Sequence, residues 1–289
     1  MRAMSWSQRW WIRPPMPDES LRSVLSRAAA LYERHPQHIW DSLNEDDPEP
    51  AGDVESPSCA ALNRMATAIG TAPSTLFAHR LPDAPWLLAT KARTIYCPIC
   101  WSQYLARGEP CAIRRNWCRL LHTRCPDHCC PLRLAPEQWA TRTRPPVLEL
   151  PNFTGLERRI LDLIESFGAI LEDSLYHGAA WPSYLKGDPQ TARLLLLAVS
   201  FNLNQVRDCP LTKCVYTTGN LENFVRGPLQ RQEPVTELRW KSFREIADPA
   251  IRRAGLWATG WELMRERPRE LSPGWSKLPQ HIEAKVRLP

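Results

Sequence analysis

Cys97-Pro98-Ile99-Cys100 and Cys125-Pro126-Asp127-His128 are the stretches whose reading decides this chain. In each, two metal-binding side chains are separated by two residues, so one tight turn aims both at a single ion. Two such turns complete a tetrahedral shell of three thiolates and one imidazole, the donor set of a zinc ribbon or knuckle. All four corners would be protein atoms with no position left for water, so one structural Zn2+ is expected, not a catalytic one. The competing reading, reduced thiols packed as small hydrophobes, gives no purpose to the repeated Cys-Pro pattern. Cys111, Cys118, Cys129, Cys130 and His122 fall in the same stretch and stay open as substitute ligands. Cys209 and Cys214 form a looser pair and a weaker second metal candidate.

Working outward, 289 residues allow about two domains of ordinary size. Trp6, Arg9, Trp10, Trp11 and Arg13 interrupt any apolar run at the amino terminus, so no signal segment is expected and the ten cysteines fit a reducing cytoplasm. The longest apolar run, Leu194 to Val199, falls far short of the roughly 20 residues that span a bilayer. No membrane partner is expected.

The net charge of +6 permits nucleic acid without demanding it, and its distribution says more. Asp41 to Glu55 carries seven acids and no Lys or Arg, and reads as a solvated loop. Arg107, Arg114, Arg115, Arg119, Arg124 and Arg133 instead crowd around the metal motifs. Arg114, Arg115 and Arg119 are the candidates to meet phosphates or an acidic partner surface; the bland alternative is that they solvate a small module. Trp117 is expected to be the packing anchor of that module.

The periodicity predicts a mainly α protein. After an extended Arg13-to-Ser20 lead-in, Leu21, Val24, Leu25, Ala28 and Leu31 share one helical face, with Arg22, Ser23, Arg27 and Glu33 on the other and Asp18 or Ser20 as cap. Residues 59–81 read as two short helices about a turn at Gly70, with Thr71 as cap and Pro73 in the first turn of the second. The spacing Ala66, Gly70, Leu76 resembles a helix-turn-helix, which makes Ser74, Thr75, His79 and Arg80 candidate DNA contacts. A zinc module follows over 95–134, then a proline-rich linker over 135–155. A helical domain is expected over 156–264, with an amphipathic helix from Leu156 and another opened by Asp188-Pro189, and 265–289 reads as a basic, flexible tail.

These residues together resemble the TniQ family of transposition proteins. The resemblance is carried by Pro15-x-Pro17-x-Glu19-Ser20-Leu21-x-Ser23, the helix pair around Gly70, Tyr96-Cys97-Pro98-Ile99-Cys100, Arg115-Asn116-Trp117 and Cys125-Pro126-Asp127-His128-x-x-x-Leu132. It spans residues 13 to 134, so the TniQ-like domain is placed over 1–134. The resemblance implies a protein similar in role to TnsD. Such a protein selects target DNA and connects it to a TnsC-like AAA+ ATPase regulator and the transposase, or bridges an RNA-guided CRISPR effector to that ATPase, in some cases as a homodimer. Many members carry a further Cys-x-x-Cys after the His; Leu132 to Trp139 offers none, so one zinc is expected.

No carboxylate pattern of a metal nuclease or transposase is present, nor a Gly-Lys-Ser/Thr phosphate loop. Cys118 and His122 stand at a spacing that reads as helix packing more readily than as a nucleophile and its base. An enzyme is therefore not expected. The alternative to target selection is a stand-alone zinc-containing DNA-binding transcription regulator.

Overall fold

The fold is described from a computed structural model, over residues 10–45, 51–136, 155–205 and 243–264. Cys209, Cys214, the tail and residues 137–154 lie outside the described residues. The described chain is mainly helical with a few two-residue strands. None of its helices is long and apolar enough to cross a membrane. Two compact units divide it, one comprising Met1–Cys118 with Leu134–Leu150 and the other Arg119–Arg133 with Pro151–Pro289.

In the first unit, Ser20 opens α1 (Leu21–Leu31), its hydroxyl accepting from Ser23 N at 3.2 Å. This satisfies one of the amide donors that a helix start leaves over. Leu21, Val24, Leu25 and Ala28 bury the predicted face against α2 (Pro36–Leu43) and α3 (Cys59–Ile69), joined by Ile39, Trp40, Leu62, Met65 and Ile69. Leu31, the last helical residue, is instead 53% exposed. Arg27 departs from its expected solvated face: it is buried, with Nε and Nη2 each 2.8 Å from the Glu19 carboxylate. Between α2 and α3, Gly52–Asp53 (β1) and Ser56–Pro57 (β2) pair antiparallel.

Gly70 ends α3 at φ +74°, a left-handed conformation that glycine adopts without the Cβ penalty. The next helix, α4 (Pro73–Phe77), is capped by Ala72, not by Thr71, and has no side-chain cap bond. Leu76 reaches the core from it. Beyond the 3-10 turn Thr90–Ala92 and strand β3 (Ile95–Tyr96), α5 (Pro98–Ala106) starts at Cys97. Arg133–Leu134 (β4) forms a two-stranded sheet with β3.

Glu55 in the β1–β2 connection is buried, and that burial pushes its carboxyl from 4.5 up to about 7, outweighing Ser20, Arg93 and the Arg22 backbone, which favour the carboxylate. A raised folded pKa means that protonation favours the fold. The contribution is complete below pH 4.5 and is lost as pH rises through about 7. It amounts to about 3 kcal/mol. Glu55→Gln should therefore flatten the decline in stability between pH 5 and pH 8. Urea titrations at both ends of that range measure it, and parallel slopes for the two proteins would contradict it.

The second unit is built on α6 (Gly155–Tyr176), α7 (Pro189–Gln205) and α8 (Pro249–Leu263). Asp188 caps α7 through Gln190 N at 2.8 Å and Thr191 N at 2.9 Å, and Asp248 caps α8 through Ala250 N at 2.8 Å. Leu161, Ile164, Phe167 and Leu171 line the buried face of α6. Gly255 lets α8 cross α7 closely: a Cβ there would stand 2.2 Å from Ser200 Oγ. The segment Arg119–Arg133, which the sequence groups with the zinc module, is held among these helices through Arg119–Glu172, His122–Glu165 and Arg124–Asp162 pairs.

Candidate metal centre

Pro98 occupies the first turn of α5, where its missing N–H costs nothing, and leaves Cys97 at the cap with its sulfur accepting from Cys100 N at 3.4 Å. That cap turn brings the two thiols of the first half-site together. The second half-site is a tight loop: Cys125 N donates to Cys130 O at 2.8 Å and Cys129 N to Cys125 O at 2.9 Å. Cys129 takes φ +52° to close it.

The ligand atoms of Cys97, Cys100, Cys125 and His128 all lie within 4.8 Å of one another. Among the described residues it is the one His/Cys/Asp/Glu group so arranged. His128 turns Nδ1 toward Cys125 Sγ, 3.7 Å away. The edge between a thiolate and an imidazole corner of a tetrahedral zinc shell is about 3.5 Å, so the spacing and the donor chemistry fit the ion. The three cysteines are buried and the histidine half-buried. Bound there, an ion would have all four tetrahedral corners filled by protein donors.

The other candidate ligands have different surroundings. His122 places Nδ1 2.5 Å from Glu165 Oε1 and Nε2 3.5 Å from Glu172 Oε2. Cys118 Sγ donates to Arg114 O at 3.6 Å. Burial pushes the Cys111 thiol up to about 11, which disfavours the thiolate that a metal requires. Cys129 is exposed and Cys130 buried, and neither joins the group of four.

Packing around the first half-site rests on tryptophans. Trp117 is fully buried. Trp101 is as well, stacked on Tyr96 at 3.9 Å with its indole N–H donating to Ala112 O at 2.7 Å.

The arginines read as candidates to meet phosphates or an acidic partner surface are engaged with groups of the chain itself. Arg115 Nε lies 3.1 Å and Arg114 Nε 3.9 Å from the Asp18 carboxylate. Arg114 Nη1 also donates to Cys100 Sγ at 3.9 Å, and its guanidinium lies over the Trp117 ring. Arg119 pairs with the buried Glu172. Sequence reasoning missed Asp18 and Glu172 as their partners, and Glu165 as the partner of His122; only the Glu19-Ser20 motif gave a local signal, and Glu19 turns out to hold Arg27.

Ser74 and Thr75 are exposed on α4. His79 is buried, its Nδ1 2.7 Å from Glu19 O, so it faces the interior and not a ligand. Arg80 is half-buried, reaching Ser56 Oγ at 3.3 Å and lying over the Phe77 ring. Comparison of the chain with protein-family models, with curated proteins and with solved structures finds no match.

Proposed function

We propose that this protein is a non-catalytic, zinc-stabilised adaptor of DNA transposition of the TniQ kind. In this role it selects or recognises target DNA and links it, or an RNA-guided CRISPR effector, to a TnsC-like AAA+ ATPase regulator and its transposase. The observation that carries the reading is the clustering of Cys97, Cys100, Cys125 and His128, the most specific element of the motif series shared with that family. A closed donor set stabilises a module for contact and leaves no place for chemistry at the ion. The zinc ribbon or knuckle and the helix-turn-helix are parts of this proposal.

Capture of the ATPase encoded beside the transposase, using the full chain as bait, tests the adaptor role. Retention of the ATPase is expected, and its failure to bind would defeat that role.

A second reading, a stand-alone zinc-containing transcription regulator, is favoured by the exposed Ser74 and Thr75 just after the Gly70 turn, where a reading helix meets bases or phosphates. Both readings need DNA contact at α4. Ser74→Glu with Thr75→Glu should weaken retention of duplex DNA about tenfold at low salt, because two added carboxylates face the phosphates. Retention should also fall steeply with salt in the parent chain. A double variant that binds like the parent would move the DNA surface away from α4.

A further inference from the structure

We infer that Arg253, a side chain of α8 some 130 positions along the chain, is a positioning residue for the second half of the metal site, setting the width of the loop that carries Cys125 and His128. This rests on the metal reading above and deepens it. The loop is closed at its base by Leu132 N donating to Thr123 O at 2.9 Å, one step outside the bridge between Arg124 and Pro131. Arg253 Nη1 donates to both basal carbonyls, Thr123 O at 3.0 Å and Leu132 O at 2.8 Å. A single nitrogen thus spans the two arms of the loop. Beside it, Arg252 Nη1 donates to Leu120 O at 2.8 Å.

Burying two guanidinium groups is costly, because arginine stays charged. Arg252 and Arg253 are nonetheless 0% and 2% exposed. The physical return is local: the segment around Leu120, Leu121, Thr123 and Leu132 is buried but irregular, and beyond the short bridge at the loop base it has no helix or sheet ladder to bring donors to its carbonyls. Two rigid forks of N–H donors provide them. Helix α6 fixes the same segment from another side, with Glu165 accepting from Thr123 N at 3.3 Å and Gly168 admitting Leu121 O where a Cβ would stand at 2.3 Å.

The consequence is chemical. The Cys125 and His128 donors must hold a separation of about 3.5 Å to share one zinc ion, and the loop base fixes the arms on which they stand. Groups that orient ligands from outside the shell typically govern metal affinity by about 10- to 100-fold. Arg253 acts through the loop backbone, without touching the ion.

The test is the rate of zinc release from the full chain into excess chromogenic chelator, for the parent, Arg253→Met and Arg253→Lys. Arg253→Met should release zinc about 10- to 100-fold faster, with Arg253→Lys between, because one ammonium keeps part of the donor set. Far-ultraviolet circular dichroism confirms that helicity is kept. Release at the parental rate from a helical Arg253→Met variant would overturn the inference while leaving the zinc reading intact, whereas a parent chain that takes up no zinc would overturn both. If Arg253→Met fails to fold, hydrogen exchange on the parent decides. Amides of 249–263 should lose protection on chelation, since coupling between loop and helix is reciprocal, and equal protection with and without zinc would overturn the inference.

Discussion

Cys97→Ser combined with Cys125→Ser is expected to abolish zinc binding, which in the parent should be about one equivalent per chain by elemental analysis. The substitution removes one thiolate from each half-site, so neither half retains the pair of donors that a turn can aim at an ion. Structural zinc in small modules contributes about 10–16 kcal/mol of apparent binding energy at neutral pH, comparable with or greater than the whole stability of an ordinary domain. The purified double variant should lose solubility and show increased protease cleavage around residues 95–134. Retention of a full equivalent of zinc would sink the ligand assignment, and a parent without zinc would remove the ground for the adaptor reading.

The second large effect is expected at Glu19. Its carboxylate is fully buried and accepts from Arg27 Nε and Nη2, from Ser23 Oγ at 2.8 Å and from Met16 N at 2.9 Å. It thereby anchors the extended lead-in to α1. Ser23 Oγ in turn accepts from Ile113 N at 3.0 Å, which ties the same cluster to the segment ahead of Arg114.

Glu19→Ala leaves the Arg27 guanidinium buried without its carboxylate, a change that costs about 3–5 kcal/mol for pairs of this kind. Glu19→Gln keeps the shape and part of the hydrogen bonding and should cost less. Paired replacement, Glu19→Leu with Arg27→Met, should recover much of the loss, because no uncompensated charge remains. Urea denaturation of the three variants measures this. If Glu19→Ala unfolds at the parental midpoint, the pair is not a source of stability.

The Glu-Ser-Leu motif was legible as a sequence signature but its physics was not. The sequence offers Asp18 or Ser20 as the cap, because capping is a matter of neighbours three positions apart, and the structure uses Ser20. It places Arg27 on the solvated face because periodicity counts a charge as polar wherever it stands. The structure buries it, since a carboxylate eight positions earlier folds back over α1. Thr71 shows the converse error: a capping residue type stood beside the turn, yet Ala72 took the position because Pro73 had to enter the first turn.

Arginines around the metal motifs illustrate a larger gap. Counted along the chain, Arg114, Arg115, Arg119 and Arg124 form a basic cluster. In space they face Asp18, Glu172 and Asp162, from 38 to 97 positions away. Charge patterning sees only near neighbours, whereas neutralisation is decided by whichever carboxylate the fold delivers. The same holds for Arg252 and Arg253, whose carbonyl partners lie in an irregular loop that no periodicity describes.

The amino-acid sequence alone determined the elements whose causes are local: helix starts at Ser20 and Asp188, the left-handed turn at Gly70, and the Cys-x-x-Cys and Cys-x-x-His half-sites, each set by residues within one turn of each other. The spacing of those half-sites also implied one shared shell, which the structure bears out in the closeness of the four side chains, whereas tertiary structure alone decided that the arginines pair with internal acids and that α8 grips the loop bearing Cys125 and His128. Those outcomes depend on burial and on long-range partners. A buried charge or carbonyl must be satisfied by whatever group packing brings to it, and spacing along the chain does not encode that group.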